Sequence, residues 1–347
     1  MKAYIVLENG EIFEGTRIGA KNDVIGELVF STTAGGYIET LTDPAYFGQI
    51  VLSTFPLIGN YGIIEEDLES EKPQMKAFVM SAICENPSNF RCDAPLESYL
   101  EKQGIVALCG VDTRRITTLI RENGVMNAKI VSDLKDADKD EIKAYSVKDA
   151  VKSVSTKEIS VFKAETEKKF SVALMDLGVK RSMIKSLCNL GCEVSVFPFD
   201  TCADELLKFD GIVLSQGPGN PAGNAEIIKT VSSIFGKKPI FAEGLGHQIL
   251  ALSCGADVIK LKYGHHGSSQ PVKDLNTNRV HITMQNHGYA VNKETLPDFA
   301  KLIFINANDS TCEGIKYPDH MAVSVQFSPN ADLIKEFIKL MEVSSCR

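Results

Sequence analysis

The strongest chemical signal in the sequence lies at residues 239–250, Pro-Ile-Phe-Ala-Glu-Gly-Leu-Gly-His-Gln-Ile-Leu. Its first residues form a short apolar run of the kind a buried parallel strand shows. Residues 245–253 read as a helix that Gly255 is placed to end. Gly244 falls at the sharp turn between the two. A side chain held at such a strand-to-helix turn stands clear at the top of an open α/β sheet, where it can attack a substrate. Glycine has no side chain, so the position built for a nucleophile lacks one. Upstream, Gly217 and Gly219 in Ser-Gln-Gly-Pro-Gly-Asn-Pro (215–221) let backbone N–H groups approach a developing oxyanion. Glu243 places a carboxylate beside the turn, where it repels a thiolate or an oxyanion. The remaining candidates are bland. His265-His266 has no Cys, Asp or Glu at zinc spacing, so no metal site is expected. Cys188 and Cys192, four apart on a helix and its cap, read as core thiols. Cys254 sits at the far end of the elbow helix, away from the turn. His320, beside Asp319, reads as a solvated turn residue.

The elements that must hold these residues alternate strand and helix. In the second half, residues 172–175, 193–197, 211–215 and 240–243 read as strands. Helices are expected over 180–190, with Gly191 at its end, and over 222–235, and Thr201 is a candidate cap for a short helix between them. Such alternation with short loops means a parallel sheet covered on both faces. β-rich segments follow the elbow helix, and a last helix is expected from about 331 to 342. The first half opens with a hairpin, residues 3–8 and 11–14, turning at Asn9-Gly10. Residues 26–31 read as a strand and 95–103 as a helix. Asp112 is placed to cap a helix that runs to Glu122, with Gly124 at its end. Residues 152–169, rich in Lys, Glu, Ser and Thr, read as a linker.

The wording of the chain resembles one family over nearly its whole length, that of the carbamoyl-phosphate synthetase small subunit, a class I glutamine amidotransferase. Gly36-Tyr37-Ile38-Glu39-Thr40-Leu41-Thr42-Asp43-Pro44, Phe55-Pro56-Leu57-Ile58-Gly59-Asn60-Tyr61-Gly62 and Val111-Asp112-Thr113-Arg114-Arg115 resemble passages of its N-terminal domain. The elbow resembles the family's Gly-x-Cys-x-Gly-His-Gln. The resemblance implies an α/β protein of two parts: a small-subunit-specific α/β domain over 1–152, a linker over 153–169, and an amidotransferase domain over 170–347 with an open, mainly parallel sheet covered by helices. It also implies a Cys–His–Glu triad that hydrolyses glutamine. Here Gly244 stands at the cysteine position, Ser328 at the histidine and Asn330 at the glutamate, in Gln-Phe-Ser-Pro-Asn-Ala. All three roles are vacated, so loss of glutaminase activity is expected. A serine hydroxyl is too weak a base near neutral pH to replace imidazole.

The resemblance assigns glutamine contacts to Gly217, Gly219, Leu245, Gln248, Asn286, Gly288 and Tyr289. Ala45 stands where the family has a contacting serine, and His247 is not the family's base, so a structural role is expected for it. The implied partner is a carbamoyl-phosphate synthetase large subunit. ATP, bicarbonate and Mg would belong to that subunit, leaving this chain without a cofactor, and its ligand would be L-glutamine. The family product feeds pyrimidine and arginine synthesis. The chain is thus expected to scaffold or regulate a synthetase that uses free ammonia. The alternatives are an active amidotransferase subunit with rewired residues and a sensor that binds glutamine without cutting it.

Composition agrees with that class. The 347 residues suggest two domains, and 44% hydrophobic content is ordinary for a globular protein. A net charge of −8 argues against a nucleic acid partner. No run of 18 apolar residues is present, so no membrane span is expected. Nine cysteines without framework spacing fit reduced thiols in a cytoplasmic setting.

Overall fold

A computed structural model describes residues 1–345. The chain divides into two compact units: Met1–Ala150 with Lys262–Ser268, and Val151–Leu261 with Ser269–Arg347. In the first unit the strands are β1 (Lys2–Leu7), β2 (Ile12–Gly19), β3 (Val24–Ser31), β4 (Gln49–Ser53), β5 (Leu57–Ile58), β6 (Ala77–Val79), β7 (Ala82–Ile83), β8 (Val106–Cys109) and β9 (Met126–Val131). All but the short pair β5–β7 close into a barrel in the order β1-β2-β8-β6-β4-β3-β9. Alternation along β3 explains the layers. Leu28 and Phe30 join Ile5, Ile50 and Leu108 in one core, while Val29 packs with Ile38 and Leu41 in another. The helix Thr113–Asn123 forms as expected, capped by Asp112 Oδ1, which accepts from Arg115 N at 2.9 Å.

The strands of the second unit are β10 (Ser160–Phe162), β11 (Phe170–Met175), β12 (Cys192–Phe197), β13 (Gly211–Leu214), β14 (Ile240–Glu243), β15 (Val258–Asp274), β16 (Val280–Val291), β17 (Lys301–Asn306), β18 (Cys312–Tyr317) and β19 (Ala322–Val325). They form one sheet in the order β10-β12-β11-β13-β14-β19-β18-β17-β15-β16. The run from β12 to β19 is parallel. β17 and β18 turn antiparallel, so the sheet is parallel at its centre and mixed beyond it. Strands buried on both faces explain the continuous apolar runs Val-Ala-Leu-Met in β11 and Gly-Ile-Val-Leu in β13. One face packs on Ile227, Val231 and Ile249, the other on Leu187, Phe337 and Ile338.

Three local expectations change. Residues 153–169 are in part built into the unit: β10 pairs antiparallel with β12, and Thr156 N donates to Asp176 Oδ2 at 2.7 Å. Thr201 does not cap the short helix Ala203–Leu206. Its hydroxyl donates to Pro198 O at 2.8 Å, and Cys202 takes the cap position. His320 is no solvated residue: its ring lies against Phe235 at 4.5 Å and Phe299 at 4.8 Å, because the turn Pro318–His320 packs on an aromatic cluster. No helix among the described residues is long and apolar enough to cross a membrane.

Candidate functional site

Parallel α/β sheets place ligand chemistry at the carboxyl ends of their strands. Four loops meet that description here, after β11, β13, β14 and β19. Two are latched together: Ser215 Oγ accepts from Leu177 N at 2.9 Å and donates to Gln216 O at 2.8 Å. Asp176 holds the first loop by accepting from Gly178 N at 2.9 Å and Val179 N at 2.8 Å. Burial pushes its carboxyl above the ordinary range, against the pull of those N–H groups. Gly217 is required by close approach, since a Cβ there would lie 2.1 Å from Leu177 O.

The elbow forms where the sequence places it. Gly244, between β14 and the helix Leu245–Ser253, has φ 56° and ψ −113°. A residue with a Cβ is strained there by about 1–3 kcal/mol. A Cβ would also lie 2.9 Å from Gln216 Cβ and 3.3 Å from its Cα, so the 215–217 loop has settled against a position with no side chain.

Beside the elbow lies a cluster that sequence reading did not assemble. Lys180 and Glu243 are 4% and 2% exposed, with Nζ 3.9 Å from the carboxylate. Lys180 Nζ also donates to Ser328 Oγ at 2.5 Å. Lys180 precedes the helix Arg181–Asn189 and reads in sequence only as part of it. Asn330 has local work of its own. Its Oδ1 accepts from Leu333 N at 3.1 Å, in the first turn of the C-terminal helix Ala331–Ser345. Each expected triad position is therefore re-employed: Gly244 relieves a strained turn, Ser328 accepts from a buried ammonium, and Asn330 supports a helix start. Asn330→Ala is expected to cost about 1 kcal/mol in urea unfolding, and no change would remove that role.

The residues assigned to glutamine lie in the same unit. Gly217, Gly219 and Leu245 stand at the ends of β13 and β14, and Asn286, Gly288 and Tyr289 on β16. Gln248 is spent internally: its Nε2 donates to Tyr289 O at 2.6 Å and to Gln326 Oε1 at 2.8 Å. The neighbouring residues on β16 are similarly engaged, with Gln285 Nε2 donating to Glu313 Oε2 at 2.9 Å and His287 Nε2 3.0 Å from Gln285 Oε1. Ala45 lies in the first unit, where its N donates to Asp43 Oδ1 at 2.9 Å. His265 and His266 are both buried, and His266 O accepts from Thr32 N at 3.1 Å.

Two thiols of this unit are poorly suited to attack. Burial pushes Cys192 up to about 12 and Cys254 up to about 11, so both stay protonated near neutrality. His247 is wholly buried, its Nδ1 2.8 Å from Ser324 Oγ, and burial lowers it to about 3. The unfolded chain takes up a proton there below pH ~6.5 that the native chain refuses until about pH 3. Stability from this residue is thus lost as pH falls through that window, by about 1.4 kcal/mol per unit. Urea unfolding of His247→Gln should show a shallower decline between pH 6 and 4. An unchanged slope would contradict the assignment.

Two family descriptions match the chain. "Carbamoyl-phosphate synthase small chain, CPSase domain" covers residues 5–130, and "Glutamine amidotransferase class-I" covers residues 173–341. Carbamoyl phosphate synthase small chain from Clostridium perfringens is 47% identical over 336 residues, 95% of each chain. Proteins of the same description from Listeria innocua and Bacillus caldolyticus are 41% and 40% identical, each covering at least 98% of this chain and 97% of their own.

Proposed function

The chain belongs to the carbamoyl-phosphate synthase small chain family, and from that premise we propose that it is a member that no longer hydrolyses glutamine and serves instead to scaffold or regulate a large chain working on free ammonia. The observation that carries this reading is the buried Lys180–Glu243–Ser328 cluster beside a turn that has closed on Gly244. Amide hydrolysis needs an attacking atom, a proton acceptor and an oxyanion cradle. Of these, the cradle has a counterpart in the backbone around Gly217 and Gly219, whereas the positions expected to attack and to accept the proton hold Gly244 and Ser328. ATP, bicarbonate and Mg fall to the large chain in this reading, with carbamoyl phosphate its product.

One observation favours a rewired enzyme: Ser328 Oγ and Lys180 Nζ, 2.5 Å apart, have the make-up of a serine–lysine dyad. Such a lysine acts as a base only when neutral. Here Lys180 Nζ donates to Ser328 Oγ and lies 3.9 Å from the Glu243 carboxylate, an arrangement in which it gives protons rather than accepts one. A glutamine sensor is disfavoured because the Gln248 amide is committed to Tyr289 and Gln326.

Co-purification with the large chain of the same organism, followed by carbamoyl phosphate assays, tests the proposal. Ammonium is expected to support synthesis, with glutamine giving only background. Equal use of glutamine would overturn it.

A further inference from the structure

The sheet of the second unit ends on one side at β10, which pairs with β12 and carries no further strand among the described residues. Its residues Ser160–Phe162 are all exposed. Ile159 and Val161 are each 59% exposed, and Phe162 43%. Three large apolar side chains within four residues make a continuous patch rather than ordinary scatter. Edge strands are usually blunted by a charge or a proline in the strand itself. Here the charges flank the strand instead: Lys157 and Glu158 before it, Lys163 and Glu165 after it, all exposed. They sum to zero, in a chain whose net charge is −8. Salt screens the more distant charges beyond about 8 Å, so a second copy meets a locally neutral, apolar edge.

We infer that β10 pairs antiparallel with β10 of a second copy about a two-fold axis, joining two sheets into one. Residues that face each other in an antiparallel pair turn their backbone groups the same way, both toward the partner strand or both away. The axis must therefore fall on a residue. Centred on Val161, the pairing sets that valine against its own copy, Ile159 against the stem of Lys163, and Lys157 level with Glu165, each twice by symmetry. Centred on Ser160, it would set Lys157 against Lys163. Centred on Phe162, it would set Ile159 against Glu165. The side-chain pattern selects the first register. So short a pair of strands makes a small interface and a weak dimer.

Sedimentation equilibrium of the full chain, carried up to about 100 μM because the interface is small, tests this. The unsubstituted chain is expected to pass from monomer to dimer as concentration rises. Lys157→Glu alone and Glu165→Lys alone each set like charges level at both ends of the pairing, and each should weaken the dimer about tenfold. An equimolar mixture of the two variants restores both opposite-charge pairs and should dimerise like the unsubstituted chain. Both positions are exposed, so substitution leaves the core intact. Val280→Lys, at an exposed residue on the opposite edge strand β16, is the control and should match the unsubstituted chain. A dimer split by Val280→Lys, or single variants that dimerise unchanged, would overturn the inference. A mixture that fails to recover would overturn the two-fold register. An unsubstituted chain that stays monomeric would overturn the self-pairing, and weaker binding of the purified large chain by the single variants would then assign the edge to that chain.

Discussion

The triple variant Gly244→Cys, Ser328→His, Asn330→Glu is expected to release ammonia from glutamine several decades more slowly than an active relative. Losing a comparable triad costs about six decades in rate, and restoring the three residue types here does not restore the site. A Cβ at 244 meets Gln216 Cβ at 2.9 Å and Cα at 3.3 Å, and no rotamer change moves either atom. The turn at φ 56°, ψ −113° adds strain that glycine avoids. Glu243, the preceding residue, adds a buried carboxylate next to the new thiol in the chain and opposes its ionisation. The new imidazole would stand where Lys180 now donates, beside an ammonium that disfavours the imidazolium the reaction needs. Ammonia release within tenfold of an active relative would show that the surroundings had not closed around the vacancy.

The second large effect concerns stability. Lys180→Met alone, or Glu243→Leu alone, should destabilise the chain by about 3–5 kcal/mol, because each removes one charge of a buried pair. The double variant should recover most of that loss, since apolar side chains of similar volume often replace a buried ion pair at little cost. The pair is 4% and 2% exposed, so solvent cannot screen what is left behind. Urea unfolding of the two single variants and the double gives the coupling directly. Additive losses would mean that the two residues do not act as a pair.

How far the sequence reveals this arrangement depends on the range of the contacts. The elbow is local: an apolar strand, a glycine and a helix follow one another within fifteen residues, and Ile240–Glu243, Gly244 and Leu245–Ser253 sit as read. The Asp112 cap is local too. The barrel of the first unit is not, because its closure pairs Tyr4 with Val131 across the unit. The antiparallel half of the second sheet escapes for the same reason. Strands joined by hairpins and strands joined by helices both read as apolar runs, and only pairing separates them. Lys180 is the instructive omission. Its partner Ser328 lies 148 residues away, and nothing in a lysine ahead of a helix announces burial. Asn330 shows the converse: an asparagine just before a helix is a cap signal, but it is easily read only as a missing carboxylate.

The central claim is that, among the described residues, no side chain stands ready to attack an amide over the inherited pocket. Intact-mass analysis of the purified chain with its large chain, after exposure to a glutamine-like diazo-ketone, tests it most directly. The account predicts no added mass on this chain under conditions that fully label an active relative. One equivalent of adduct, mapped by peptide sequencing to a single residue such as Ser328 or a cysteine, would contradict it.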